Sequence, residues 1–452
     1  MLCLHISFFI KFQFQMSVKT GALKKVKTFL TYFFKMLIVI LLWLVVYFSL
    51  IFFTNGLQKG TIAGLGAAIF SGLTLALFIE KKWVLSGFQR YFMIFLFGGY
   101  ILFVIHTVIP LASDDEPKKT PNFADIPTRY WDLKTGSHIA YYKICAKPGS
   151  IKKTTPVIFL HGGPGAYVRK LDLNFFRTFA DEGYDVYLYD QAGSGRSGLL
   201  PKTTYSHARN LKDFAAIIDV INAKQYIVIG QSYGSTMLAD LASDQRISDR
   251  IYKAIYAEPG VTLPSGRTTV FAKAPNALAG EVNLPIRIII GMIVNPKGGF
   301  TTQNEVINYL STRQDLVQKL FAQSFPKKDF ARLPKVEANV LNFSVIGIIS
   351  PEITSFNKDL ESNFRRTRVR SMLMLGESSY IERNAPLDLL KVNPSIERTQ
   401  YFKNTGHILW NGLDDNNQRV KAAIDAFLND AAPVLPNFPM PKDIPQFIKA
   451  GM

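Results

Sequence analysis

Along the 452 residues, hydrophobic positions follow two different rhythms. In the first quarter they run together. Met36 to Gln58, Gly60 to Ile79 and Tyr91 to Ser113 are apolar stretches with no Lys, Arg, Asp or Glu. Each reaches the ~20 residues needed to cross ~30 Å of hydrocarbon. They predict three transmembrane helices, over about 36–58, 60–79 and 91–112, and make residues 1–112 a membrane region. Gly64, Gly66, Ala67, Ala68 and Gly72 give the second stretch the small residues that let helices pack closely. Residues 113–128 are polar, carry three prolines and read as a linker. From Arg129 the rhythm changes. Arg129–Ala146 reads as a hairpin turning at Lys134-Thr135-Gly136, and short runs follow at Val157–Leu160, Val186–Tyr189, Ile227–Ile229, Ala254–Ala257, Met372–Leu375 and Thr399–Phe402. Helical stretches separate them. Strands alternating with helices predict an α/β fold with a parallel sheet covered on both faces, and place function at the C-terminal ends of its strands.

Charge distribution sharpens the first part. The net charge of +18 invites a nucleic-acid partner, but residues 1–112 hold ten Lys/Arg against one acid, and the remaining residues 42 against 33. The excess is densest around the apolar stretches, where it sets membrane orientation; a lipid bilayer, not nucleic acid, is the expected partner. Lys19, Lys24, Lys25, Lys27 and Lys35 precede the first span, and Lys81, Lys82 and Arg90 separate the second from the third, while only Lys59 lies between the first two. That bias puts the N-terminus in the cytoplasm and everything beyond Ser113 outside it. Low cysteine and charge content fits the periplasmic face of a bacterial inner membrane. A cleaved signal peptide fits poorly, because further spans follow the first. Apart from His106 the spans carry no ionisable residue of the kind that marks a transport pathway. Two distant cysteines, Cys3 and Cys145, exclude a disulfide framework and a Cys-rich zinc module.

The chemistry sits in the second part. Gly230-Gln231-Ser232-Tyr233-Gly234 follows an apolar run and precedes the helix-like Thr236–Ala242. A sharp strand-to-helix turn strains Ser232 and crowds its neighbours; flanking glycines make that turn possible and leave the hydroxyl exposed as a nucleophile. The alternative is an ordinary turn serine. His161-Gly162-Gly163-Pro164-Gly165 follows another run, and there the Gly163 amide could face a developing oxyanion together with the amide of Tyr233. His161 itself reads as structural. His407, in Asn404-Thr405-Gly406-His407, lies past the last run. Nucleophile first and histidine last is the order such hydrolases use, so His407 is the candidate base, against a solvated loop histidine. No metal or organic cofactor is needed.

These elements make the chain resemble the α/β-hydrolase superfamily. Within it, HGGPG, Asp190-Gln191-Ala192-Gly193-Ser194-Gly195-Arg196-Ser197 and GQSYGS look like the proline iminopeptidase family of serine peptidases, over roughly residues 129–430. Ala192 stands where that family usually has arginine, and Gln231 and Tyr233 where glycine and tryptophan are common. The resemblance implies a hydrolase core over 129–259 and 371–452, with a mostly helical cap over 260–370. It also implies an Asp after the penultimate strand, where this chain reads Gly376-Glu377-Ser378-Ser379 and so offers Ser379. A serine cannot balance an imidazolium by charge. Glu258, ending the strand after the nucleophile helix as the acid does in some superfamily members, is preferred; Glu377 is the alternative acid, with Glu382, Asp388 or no acid at all behind it. In the resembling aminopeptidases, cap acids hold the substrate's amino terminus, and Glu281, Glu305, Asp315 and Glu337 are available for that. Leu284–Val294 and Val340–Ile349 are strongly apolar yet too short to span a bilayer, and read as cap core or an apolar substrate pocket. The expectation is a membrane-anchored serine hydrolase that cleaves an amide or ester of a peptide or small molecule through an acyl-enzyme. The rivals are a lipase or esterase and, of another class, a catalytically silent membrane-tethered binding module.

Overall fold

In the computed structural model the chain divides into two compact units, residues 1–110 with 298–300, and residues 111–297 with 301–452. The structure describes scattered residues between 26 and 99, then 110–117, 123, 125–260, 284–293, 296–298, 300–322, 324–336, 341–356, 360–381 and 384–438. Among the described residues no helix is long and apolar enough to cross a membrane. The three predicted spans, 36–58, 60–79 and 91–112, fall almost wholly outside the described residues; 110–112, at the end of the third, are described and are not helical.

The second unit is built on eight strands: β1 (Arg129–Asp132), β2 (His138–Ile144), β3 (Val157–Leu160), β4 (Val186–Tyr189), β5 (Tyr226–Gln231), β6 (Ile251–Ala257), β7 (Ser371–Ser378) and β8 (Ile396–Gly406). They lie in the order β1-β2-β4-β3-β5-β6-β7-β8. β1 pairs with β2 and β2 with β4 antiparallel, and every other pairing is parallel. The central strands are apolar on both faces because both faces are covered. Ile158, Leu160 and Val228 point into one core, with Phe214 and Ile217 of α2 (His207–Ile221) and Met237 and Leu241 of α3 (Tyr233–Ser243). Val157, Phe159, Ile227 and Ile229 point into the other, against Phe175, Phe176 and Phe179 of α1 (Lys170–Asp181). Trp410 closes that second core, stacked on Phe175 at 4.9 Å between ring centres. Alternation along each strand thus divides the side chains between two layers.

A short α4 (Gln245–Ser248) precedes β6. Between β6 and β7 the described residues form helices and no strand: α5 (Ile286–Ile293), α6 (Gln303–Thr312), α7 (Gln314–Ala322), α8 (Phe343–Phe356) and α9 (Leu360–Phe364). Ile288, Val306, Leu310, Leu316, Val317 and Phe343 make a third apolar cluster there. Val345, Ile348 and Ile349 of α8 reach down into the main core, so this insertion is seated on the sheet layer. Residues 111–115 are bound to it: the Leu111 amide donates to Glu305 Oε1 (3.0 Å), and the Asn308 side-chain amide donates to the carbonyls of Ser113 and Asp115 (2.9 Å each). The start of the predicted linker is therefore a bonded strap on α6. After β7 come α10 (Asn384–Val392) and, beyond β8, α11 (Asn416–Leu428), whose Val420, Ala423, Ile424 and Phe427 enter the second core.

Candidate active site

β5 passes into α3 through Ser232, whose φ of 54° and ψ of −117° are strained for a residue with a side chain. Such a conformation costs of order 1–3 kcal/mol and persists only where the surroundings impose it. Here they do. The Ser232 amide donates to the Ala257 carbonyl on β6 (2.9 Å), and its carbonyl accepts from Ser235 and Thr236. The glycines of the motif are required by close approach. A Cβ on Gly230 would meet the Gly234 carbonyl, and one on Gly234 would collide with the Leu160 carbonyl at the end of β3. The helix start thus lies directly against the strand that carries His161-Gly162-Gly163.

His407, just past the end of β8, is buried, and its ring lies at the same cavity as Ser232. Among the described residues its Nδ1 faces Ser379 Oγ at 3.3 Å and Glu258 Oε2 at 3.5 Å. Glu258, one residue past the end of β6, is almost wholly buried and holds a positive φ of 51°. Its other oxygen accepts from the Gly376 amide on β7. The carboxylate of Glu377, the alternative acid, accepts from the Asn404 amide at an exposed position (2.7 Å). Asp388 is paired with Lys391, and Glu382 lies outside the described residues. Gln231 donates to the His407 carbonyl (3.1 Å), fixing the loop that carries the imidazole. His407 Nε2 is buried and has no hydrogen-bond partner among the described residues.

Tyr380 lines the same cavity as Ser232, and the serine hydroxyl is among the groups that act on its phenol. Tyr380 lies on the loop after β7, with its ring 4.2 Å from the imidazole of His407. Burial pushes its phenol up to about 12, with the Ser232 hydroxyl opposing part of the rise, so it stays protonated wherever an imidazole titrates. Sequence reasoning missed this residue; its one signal was adjacency to the altered acid position.

The amides of Gly163 and Tyr233 have no acceptor among the described residues. Gly163 has φ +52°, and Gly162 is pressed so closely on Gln231 and Ser232 that no side chain would fit. Tyr233 is anchored at its far end, where its hydroxyl meets His207 Nδ1 (3.0 Å) and accepts from Asn210 (2.9 Å). His207 in turn pairs with Asp240 at 2.8 Å. Both ring nitrogens of His161 are engaged, Nδ1 with the Gly162 carbonyl (2.9 Å) and Nε2 accepting from the Gln191 amide (3.0 Å), and burial holds its pKa down. Asp190 accepts from the amides of Val168 (2.7 Å) and Arg196 (2.9 Å) and from the Tyr142 hydroxyl (2.9 Å), which makes it the fastener of its loop.

The cavity above Ser232 has a volume of about 250 Å³. Among the described residues no group of three or more His, Cys, Asp or Glu could hold a metal ion. The arrangement offers a strained hydroxyl, an imidazole backed by a buried carboxylate, and two amides on adjoining loops. These are the parts of acyl transfer.

The family described as alpha/beta hydrolase fold matches residues 155–282, and with the sheet described above the chain has that fold. It is similar to the proline iminopeptidase of Arabidopsis thaliana, 30% identical over 155 residues covering 31% of this chain and 38% of that relative. The proline iminopeptidase of Heyndrickxia coagulans is 34% identical over 106 residues, covering 23% and 34%. The chain therefore spans little more than a third of these curated relatives. Among solved structures, an esterase from Exiguobacterium antarcticum superposes with a TM-score of 0.47 at 17% identity, covering 66% of this chain and 98% of that one.

Proposed function

We propose that the protein is a serine hydrolase that cleaves an amide or ester through an acyl-enzyme. Ser232 attacks the carbonyl, His407 Nε2 takes the hydroxyl proton and returns it to the leaving group, and Glu258 steadies the imidazolium. The amides of Gly163 and Tyr233 hold the oxyanion, each such donor being worth about 3 kcal/mol of barrier. Water on the same imidazole then releases the acyl group and restores Ser232. One observation carries this reading: a serine held at φ 54° in a strand-to-helix turn shares a cavity with an imidazole whose Nδ1 faces a buried carboxylate. Ser232 has to close on His407 Nε2 for the proton to pass, and catalytic hydrogen bonds often tighten only when substrate binds.

We also infer that the catalytic unit is tethered through residues 1–112 and lies outside the cytoplasm. Three uncharged apolar stretches and the lysine bias around them support this.

The phenol of Tyr380, in the cavity with Ser232 and packed on His407, favours a second reading, a binding module whose serine is kept silent. Labelling with a fluorophosphonate separates the two. A hydrolase reacts in the wild type and loses the label in Ser232→Ala; a silent module does not react at all.

A further inference from the structure

We propose that the cavity receives an uncharged, apolar acyl group of medium length, so that the substrates are acyl esters rather than peptides with a free amino terminus. This rests on the serine-hydrolase reading above and names the substrate class for that site. Val317, Leu320, Phe321, Leu341, Phe343 and Ile346 line the cavity from the insertion, and Gly163, Ser232 and His407 line it from the core. A dry apolar cavity of about 150 Å³ holds benzene, so about 250 Å³ is room for an acyl chain of roughly eight carbons.

Charge decides between the two substrate classes. No carboxylate lines the cavity among the described residues. The cation that does, Arg169, is committed to the buried carboxylate of Asp172 through Nε and Nη2, both at 2.8 Å. Two acids of the insertion are committed too. Glu305 is buried against Arg287 at 2.7 Å, and Asp315 pairs with Arg313 on the exposed surface at 3.2 Å; Glu281 and Glu337 lie outside the described residues. Among the described residues, an ammonium entering such a cavity loses its water and meets no carboxylate on the lining, a penalty of several kcal/mol. An acyl chain gains about 0.8 kcal/mol for each methylene it buries.

The test uses the full chain in detergent, with a fluorophosphonate confirming that Ser232 reacts. Values of kcat/KM are measured for p-nitrophenyl esters of about two to about twelve carbons and for aminoacyl p-nitroanilides. The acyl series should climb about fourfold per methylene, the equivalent of 0.8 kcal/mol, up to roughly eight carbons and then level or fall. The anilides with a free amine should lie about a hundredfold or more below the best ester. Leu320→Asp should reverse the order by lowering the long esters and raising the anilides. Phosphatidylcholine vesicles provide a second arm: faster release of fatty acid from vesicles than from soluble ester of equal chain identifies a lipid source, and the reverse a soluble one. A preference for free-amine substrates on a chain whose Ser232 is labelled would overturn the acyl proposal alone. No labelling and no turnover of any substrate would overturn the serine-hydrolase reading and this proposal with it.

Discussion

Of the two groups that face His407 Nδ1 among the described residues, only one can balance an imidazolium. Ser379 Oγ is hydrogen bonded to it at 3.3 Å but carries no charge, while Glu258 Oε2, 3.5 Å away, carries one. Glu258→Gln should therefore lower kcat by about 10⁴, the scale seen when a triad acid becomes its amide. Glu377→Gln should leave turnover near wild type. Ser379→Asp placed on Glu258→Gln should restore much of the loss, because Ser379 already touches Nδ1. Steady-state kinetics check all three, and a large loss in Glu377→Gln would reassign the acid. The missing charge at 379 and the carboxylate at 258 were both legible in the sequence, since each sits at a strand end. The Tyr380 phenol was not. Its approach to Ser232 depends on the path of the loop after β7, which no periodicity specifies.

The turn between β5 and α3 is an element-scale device. Its glycines do not merely tolerate unusual backbone angles; Gly234 is where the helix start touches the end of β3. Gly234→Ala should push these two backbones apart. It should cost about 3 kcal/mol of stability, at the upper end for overpacking, read as a lowered urea midpoint. Fluorophosphonate reactivity should fall as well, because Gly163 and Tyr233 would no longer face one point. An unchanged midpoint would contradict the packing described. The strands around this turn were readable because buried parallel strands are short apolar runs. Val157–Leu160 and Val186–Tyr189 are strands over the same residues as their apolar runs, whereas Ile396–Gly406 extends well beyond Thr399–Phe402. The difference is physical. β8 continues through Lys403, Asn404 and Thr405, polar residues that pattern alone assigns to a loop, and pairs Gly406 with Ser378 on β7. The helices between β6 and β7 were less legible, since Leu284–Val294 and Val340–Ile349 are apolar runs whose partners lie far away in sequence.

For the whole molecule, the sequence of residues 1–112 and the chemistry of the second unit bear on one question, which compartment meets the cavity. The lysine bias predicts an extracytoplasmic catalytic unit. A reporter fused after Asp125 that is active only outside the cytoplasm should be active, and activity of a cytoplasm-only reporter at that point would overturn the orientation. The end of the third apolar stretch, at Leu111 and Ser113, is hydrogen bonded to α6 of the insertion that roofs the cavity.

All of this depends on Ser232 being the group that takes an acyl unit. The direct measurement is to treat the full chain with a fluorophosphonate, digest it and find by mass spectrometry which peptide carries the adduct. The geometry predicts one adduct per chain, on Ser232, and a much slower reaction in His407→Ala. An adduct on another residue, or a chain that stays unmodified while its fold is intact, would contradict the account.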